Sequence, residues 1–206
     1  MKIQVFTEES AWLEARRSRI TGSRAFDVSP KEKGTGKRKA FYELVAERLA
    51  LPPTGENPME AGHTNETFAL DRFEEATGKI LNRQLSLWIS DENEYIAISP
   101  DGAVEEGGKF VEAVEAKCLN AATHLEILLT QVVPKEYVYQ VRQYMVVNPD
   151  CQKVTLCFYC PLLWVKDFFT IEYKREDIQA DIDAMLEQEK MTLAEVDQIV
   201  SDLTAF

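Results

Sequence analysis

The chain has 206 residues, 45% of them hydrophobic and 28% charged, which is ordinary for one globular domain with a substantial core. No long uncharged apolar run is present to span a membrane, and Met1 to Ser10 hold Glu8 and Glu9 but no apolar signal core, so a cytoplasmic protein is expected. The net charge of -12 argues against a protein that simply coats DNA.

That charge is unevenly placed. Residues 1–40 carry ten basic side chains against five acidic ones, a net of +5, whereas residues 176–206 carry nine acids against Lys190, a net of -8. Such asymmetry fits a nucleic-acid grip at one end and an acidic outer surface at the other; two solvated faces without a partner are the alternative.

In chain order, Trp12, Leu13 and the arginines after them predict a short helix, with Ser10 as its N-cap. Ile20-Thr21-Gly22-Ser23 then turns the chain, and Lys31 to Lys39, with Gly34 and Gly36, has the composition of a basic loop. Phe41, Leu44, Val45, Leu49 and Leu51 have helical spacing, stopped by Pro52-Pro53. A longer helix is expected from about Met59 to Ala76, ending at Gly78.

Leu85 to Ile89, Tyr95 to Ser99 and Phe110 to Cys118 follow as strands, joined as a meander by turns at Asp91-Glu92-Asn93 and Asp101-Gly102. Pro134 opens a helix through about Val147. Strands at Val154 to Tyr159 and Phe168 to Tyr173 precede acidic helices that run to the C-terminus from about residue 175. With no repeat and no linker, the expectation is a single α/β domain over residues 1–206.

Two short segments carry the chemistry. Ser99-Pro100-Asp101 ends one strand, and Glu115-Ala116-Lys117 lies on the next. Side chains alternate along a strand, so Glu115 and Lys117 project to one side, and a hairpin would bring Asp101 beside them. Two converging carboxylates make a hard-oxygen site suited to Mg²⁺, and a neighbouring lysine can hold or polarise a water. The charges interrupt apolar runs (Ile96-Ala97-Ile98, and Val111, Ala113 and Val114), and burying them is costly unless they pair or bind a cation. A purely structural Glu-Lys pair is the alternative.

Together with Trp12, Arg16, Ile20-Thr21-Gly22-Ser23, Gly62-His63-Thr64-Asn65-Glu66, Ser99-Pro100-Asp101-Gly102, Glu115-Ala116-Lys117-Cys118 and Tyr137-x-x-Gln140-Val141-x-x-Tyr144-Met145, the chain resembles the phage lambda exonuclease family. This is the YqaJ-like viral-recombinase branch of the PD-(D/E)xK nucleases, and the resemblance runs over about residues 10–175 in the family's order. It implies a restriction-endonuclease-like α/β core, a central mixed β-sheet flanked by helices. It implies a Mg²⁺-dependent 5′→3′ exonuclease that digests one strand of linear double-stranded DNA to 5′-mononucleotides and leaves 3′ single-stranded tails. One or two Mg²⁺ ions are implied, with Mn²⁺ as a substitute. Two metals would stabilise both the attacking and the leaving oxygen of an in-line displacement.

By the same resemblance Asp101 and Glu115 ligate the metal, with the Ala116 carbonyl as a backbone ligand and Glu66 projecting towards it. Lys117 orients the attacking water and helps deprotonate it. Gln140 and Tyr137 line the cleft. Arg16, Ser23 and Ser99 match a pocket for the terminal 5′-phosphate, a group that arginine's planar fork suits. For these roles the alternatives are Arg19 in place of Arg16, a solvated helix residue for Glu66 and a core residue for Tyr137. The family further implies a ring-shaped homo-oligomer, usually a trimer, around the DNA. It also implies a phage single-strand annealing protein as partner, in the cytoplasm of a bacterial host carrying a phage or prophage.

Cys118 and Cys151-x5-Cys157-x2-Cys160 raise an iron–sulfur site, but the close pair follows the longer gap instead of preceding it, and reduced structural thiols are the better expectation. His63 and His124 are too few and too separated for zinc or a nucleophile triad. A restriction-type endonuclease, or a DNA-end-binding recombination scaffold with a vestigial site, would share many of the same motifs.

Overall fold

The computed structural model describes residues 1–28, 44 and 63–205. The expected basic loop of Lys31 to Lys39, the Phe41 to Leu51 helix apart from Leu44, and the start of the long helix at Met59 to Gly62 lie outside the described residues. Leu44 is buried in the main core.

The described elements run in the order β1 (Lys2–Val5), α1 (Glu9–Arg16), α2 (Gly22–Ala25), α3 (His63–Thr77), β2 (Ser86–Ile89), β3 (Ala97–Ile98), β4 (Gly102–Glu106) and β5 (Lys109–Cys118). They continue with α4 (Ala121–Thr130), α5 (Lys135–Val147), β6 (Lys153–Tyr159), β7 (Phe168–Lys174) and α6 (Arg175–Thr204). The sheet is mixed and flanked by helices, as expected, but it is not one meander. Strands β1-β2-β3 form one antiparallel sheet and β4-β5-β6-β7 a second.

The expected turn at Asp101-Gly102 is the start of a strand. β4 begins at Gly102 and pairs antiparallel with β5, Gly102 opposite Val114. The real hairpin turn is Gly107-Gly108, where both residues have positive φ (58° and 79°), the backbone that a two-residue hairpin needs and glycine supplies without strain. Residues 95–99 therefore close the first sheet, and the chain crosses to the second through Ser99-Pro100-Asp101. That crossing places Asp101 at the seam between the sheets.

β5 is the central element, antiparallel to β4 and parallel to β6. Its alternation separates two cores. Val114 and Ala116 pack with Ala69, Leu70 and Phe73 of α3. Ala113 belongs to the larger cluster with Val141, Tyr144 and Met145 of α5 and Ile182, Leu193 and Val196 of α6. Glu115 and Lys117 share the parity of Ala113, so both aim at α5.

Smaller expectations are corrected. The N-cap of α1 is Glu8, without a side-chain hydrogen bond, and Ser10 lies inside the helix. The C-terminal segment, Arg175–Thr204, is two helices run together across a kink at the non-helical Ile178, in keeping with the expected acidic helices. It is not wholly an outer face, because Glu189 is 1% exposed. No cue was found for β1, all four of whose residues are exposed, or for α4, which is capped by the Asn120 side chain accepting from Thr123 N–H.

Candidate active site

A cleft of about 400 Å³ opens where the two sheets meet α1, α2, α3 and α5. Of the ten residues singled out from the sequence, seven line it: Arg16, Ser23, Glu66, Ser99, Asp101, Glu115 and Gln140. Lys117, Ala116 and Tyr137 lie immediately behind, tied to the lining residues as described below.

Asp101 is fixed by the strand next to it: its Oδ2 accepts the Ala116 N–H at 2.8 Å. Burial first, and then the Glu115 carboxylate, hold the Asp101 carboxyl well above its ordinary range; Glu66 adds to that and Lys117 opposes it. Glu115 is buried, and both of its oxygens are engaged. Oε1 accepts from Lys117 Nζ at 2.8 Å and from Gln140 Nε2 at 3.3 Å, while Oε2 accepts a short hydrogen bond from the Tyr144 hydroxyl. Burial opposes the charge on Lys117, but Glu115 and then Asp101 outweigh it, so its ammonium titrates above the ordinary lysine range.

Tyr137, Gln140 and Tyr144 make one stripe on α5, at helical spacing. The Tyr137 ring lies under the Lys117 ammonium, 4.7 Å from its centroid. Tyr137 thus serves the lysine even as it packs against the main core. Tyr144 is the contact that sequence reasoning left without a role, although it stands in the same motif as Gln140. Its hydroxyl oxygen also lies 3.2 Å from the Ser99 carbonyl oxygen, placing the Glu115 carboxylate against the seam. Burial and then Glu115 push its phenol well above the ordinary range, so it acts as a donor.

The opposite wall is cationic. Arg16 stacks on Trp12, its guanidinium 4.3 Å from the ring centroid, and the Trp12 indole N–H donates to Ser99 Oγ at 2.9 Å. Burial lowers the Arg16 pKa from its ordinary value, partly offset by Tyr144, Glu115 and Asp101. Arg19, the alternative to Arg16, is not among the residues lining the cleft: it donates to the Glu94 carbonyl at 2.8 Å and to the Ala15 carbonyl. Arg17 reaches Glu14 at 3.5 Å. Ser23 is exposed, with its Oγ 3.3 Å from Thr21 Oγ1. Gly22 has to be small here, because a Cβ would lie 2.9 Å from Ile98 Cδ1 and 3.4 Å from Gln140.

Arg83 and Gln84 also line the cleft and were not foreseen. Arg83 is held by Asp71 at 2.7 Å and Glu74 at 2.6 Å, partners on α3 that no local pattern discloses.

Among the described residues no cluster of three or more His, Cys, Asp or Glu side chains forms a ready metal cage. A Mg²⁺ ion needs no such cage, since it is usually held by one or two carboxylates with substrate phosphates and water. The fit to such an ion lies in Asp101: a carboxyl crowded by a second carboxylate and a third nearby is where a hard cation relieves most repulsion. The cysteines do not converge on a cluster site: Cys151 and Cys157 belong to separate apolar cores, and Cys118 is exposed.

The fold is an α/β architecture of the PD-(D/E)xK type, built like the phage-type exonucleases. Residues 11–151 match the YqaJ-like viral recombinase domain, and the chain belongs to that family. An alkaline exonuclease from Laribacter hongkongensis is 25% identical, with a TM-score of 0.81, covering 95% of this chain and 96% of its own. The structure of that exonuclease in complex with dAMP matches with a TM-score of 0.80, at the same identity and coverage. A phage-related exonuclease from Haemophilus somnus 129PT shares the fold at 15% identity, with a TM-score of 0.66 over 91% of this chain and 97% of its own. No curated protein matches the chain in sequence.

Proposed function

We propose that the chain is a Mg²⁺-dependent deoxyribonuclease that digests one strand of linear double-stranded DNA from its 5′ end. The observation that carries this proposal is Asp101, Glu115 and Lys117 gathered at a cleft whose other wall is Arg16, Ser23 and Ser99. Family membership and the similarity to an alkaline exonuclease support a nuclease acting on DNA.

Asp101, Glu115, the Ala116 carbonyl and Glu66 would hold the metal. When bound, Mg²⁺ supplies charge stabilisation to a phosphodiester under attack by water. Lys117, held as an ammonium, orients that water and favours loss of its proton by stabilising the hydroxide that forms. Tyr137 holds the Lys117 ammonium by its ring face, and Gln140 and Tyr144 fix the Glu115 carboxylate, so that the reacting groups are aligned before substrate arrives. Arg16 receives the terminal 5′-phosphate, with Trp12 bracing its plane and Ser99 and Ser23 completing the pocket. Catching that phosphate sets the next scissile bond over the carboxylates and gives 5′→3′ polarity, with 3′ tails as the product.

On the same proposal the protein works as a ring-shaped homo-oligomer around DNA, a trimer as is usual for such exonucleases, and passes 3′ tails to a phage single-strand annealing protein in the bacterial cytoplasm. No helix among the described residues is long and apolar enough to cross a membrane.

The test uses linear duplex DNA labelled on one 5′-phosphate, with Mg²⁺, Mn²⁺ or EDTA, beside covalently closed circles. Labelled mononucleotide released only from linear DNA and only with a divalent cation is expected. Cleavage of closed circles would make it an endonuclease, and end binding without release under any condition would make it a scaffold.

A further inference from the structure

Behind the cleft lies a buried acid that the proposed chemistry does not use. Gln143 is fully buried on α5, one turn from Gln140 and next to Tyr144. Its Nε2 donates to the Ile20 carbonyl at 3.2 Å, the Ala97 carbonyl at 3.4 Å and Glu189 Oε2 at 3.5 Å. Those carbonyls sit just upstream of the cleft wall, Ile20 before Thr21-Gly22-Ser23 and Ala97 before Ile98-Ser99. The Ala97 N–H also donates to the Ile20 carbonyl at 3.0 Å, so one amide grips a joint between two segments. Glu189 reaches this joint from α6.

Among the described residues, two oxygens there are buried without a donor: Gln143 Oε1 and Glu189 Oε1. A buried amide oxygen and a buried carboxylate oxygen, neither with a donor, are unfavourable in a dry site. One proton resolves both. A carboxylic O–H on Glu189 donates to Gln143 Oε1 while the Gln143 N–H donates back, the complementary pattern of an acid and a primary amide. We infer that Glu189 is carried as the neutral acid in a two-bond ring with Gln143, and that this pair positions the Ile20 and Ala97 segments, hence Ser23 and Ser99, against Glu115. The pair itself is independent of the proposed activity, but its effect on turnover rests on the nuclease proposal.

The surroundings agree. Burial raises the Glu189 carboxyl well above its ordinary range, opposed by the Gln143 bond alone. Charged groups on the neighbouring elements are engaged elsewhere: Arg142 of α5 with Asp181, Lys190 of α6 with Glu92, and the Met1 amine with Asp91. Glu189 is therefore a positioning residue and touches no substrate.

The test compares the full-length wild type, Glu189→Gln, Glu189→Ala and Asp101→Asn. The infrared difference between wild type and Glu189→Gln at about pH 7 is expected to contain the C=O stretch of a protonated carboxyl. Glu189→Gln, whose amide can make both bonds, should keep wild-type kcat on linear duplex with Mg²⁺ and lose the fall in kcat that wild type shows as Glu189 ionises at alkaline pH. Glu189→Ala should lower kcat about tenfold with KM changed less than about twofold, as expected for groups moved slightly out of line. If Glu189→Ala does not fold, the spectrum and the Glu189→Gln pH profile decide. Absence of the acid band overturns the pair, and a Glu189→Gln pH profile identical to wild type overturns the positioning role. Asp101→Asn should lack turnover and keep the band, which separates failure of the pair from failure of the nuclease proposal.

Discussion

Two glutamates on the same strand meet opposite fates. Glu112 and Glu115 are both buried on β5, 3% and 7% exposed, but three residues apart and so on opposite faces. Glu112 is fully answered: Lys79 and Lys153 pair with it, Lys153 at 3.2 Å, and the Thr155 hydroxyl donates at 2.7 Å. It ties the chain after α3 to the sheet and is not among the residues lining the cleft. Glu115 has one lysine, a tyrosine and an amide, and a second carboxyl, Asp101, crowded against it at an open cleft. A buried carboxylate surrounded by cations is a staple. A buried carboxylate beside another carboxylate, with solvent access, is apparatus.

The contrast can be broken most sharply on the apparatus side. Lys117→Ala is expected to lower kcat for nucleotide release by about 10²- to 10⁴-fold, the range for removing a proton-handling group, with the fold retained by circular dichroism. Next in size, Arg16→Ala should reduce the preference for 5′-phosphorylated over 5′-hydroxyl ends by about 10- to 100-fold, corresponding to one charge-assisted contact; rates on the two substrates measure it. On the staple side, Glu112→Ala should cost about 1–3 kcal/mol in urea unfolding while nucleotide release changes less than about threefold. The cost stays moderate because Lys79 and Lys153 are 35% and 24% exposed and can turn to water.

The smallest effect concerns Glu189. Its folded-state pKa is raised above the ordinary 4.5, so the folded protein holds this proton more tightly than the unfolded chain. The stability it contributes is complete below the unfolded value and is lost as pH rises through the folded one. Glu189→Gln, which cannot ionise, should therefore gain on wild type as pH rises, by about 1 kcal/mol per pH unit in that window. Urea midpoints at stepped pH read the slope, and parallel curves would show that Glu189 is ionised throughout.

Much of the site was legible because it depends on local periodicity. Alternation put Glu115 and Lys117 on one side of β5, and the spacing of Tyr137 and Gln140 put them on one helical face. The pairing of strands was less legible. The Gly107-Gly108 turn carries a hairpin signal, but the acidic Glu105-Glu106 before it hides β4, and Asp101-Gly102 offered a competing turn. Arg83, Gln143 and Glu189 were invisible for another reason: their partners are 9 to 123 residues away, and a lone buried acid on an acidic helix follows the same pattern as its solvated neighbours.

The most direct measurement takes Glu115→Gln and Glu112→Gln side by side, with nucleotide release from 5′-labelled linear duplex and Tm read on the same samples. Glu115→Gln should abolish release with a Tm no lower than wild type, while Glu112→Gln should lower Tm and keep release. Loss of release in Glu112→Gln with its Tm intact, or full release by Glu115→Gln, would contradict the assignment of the site.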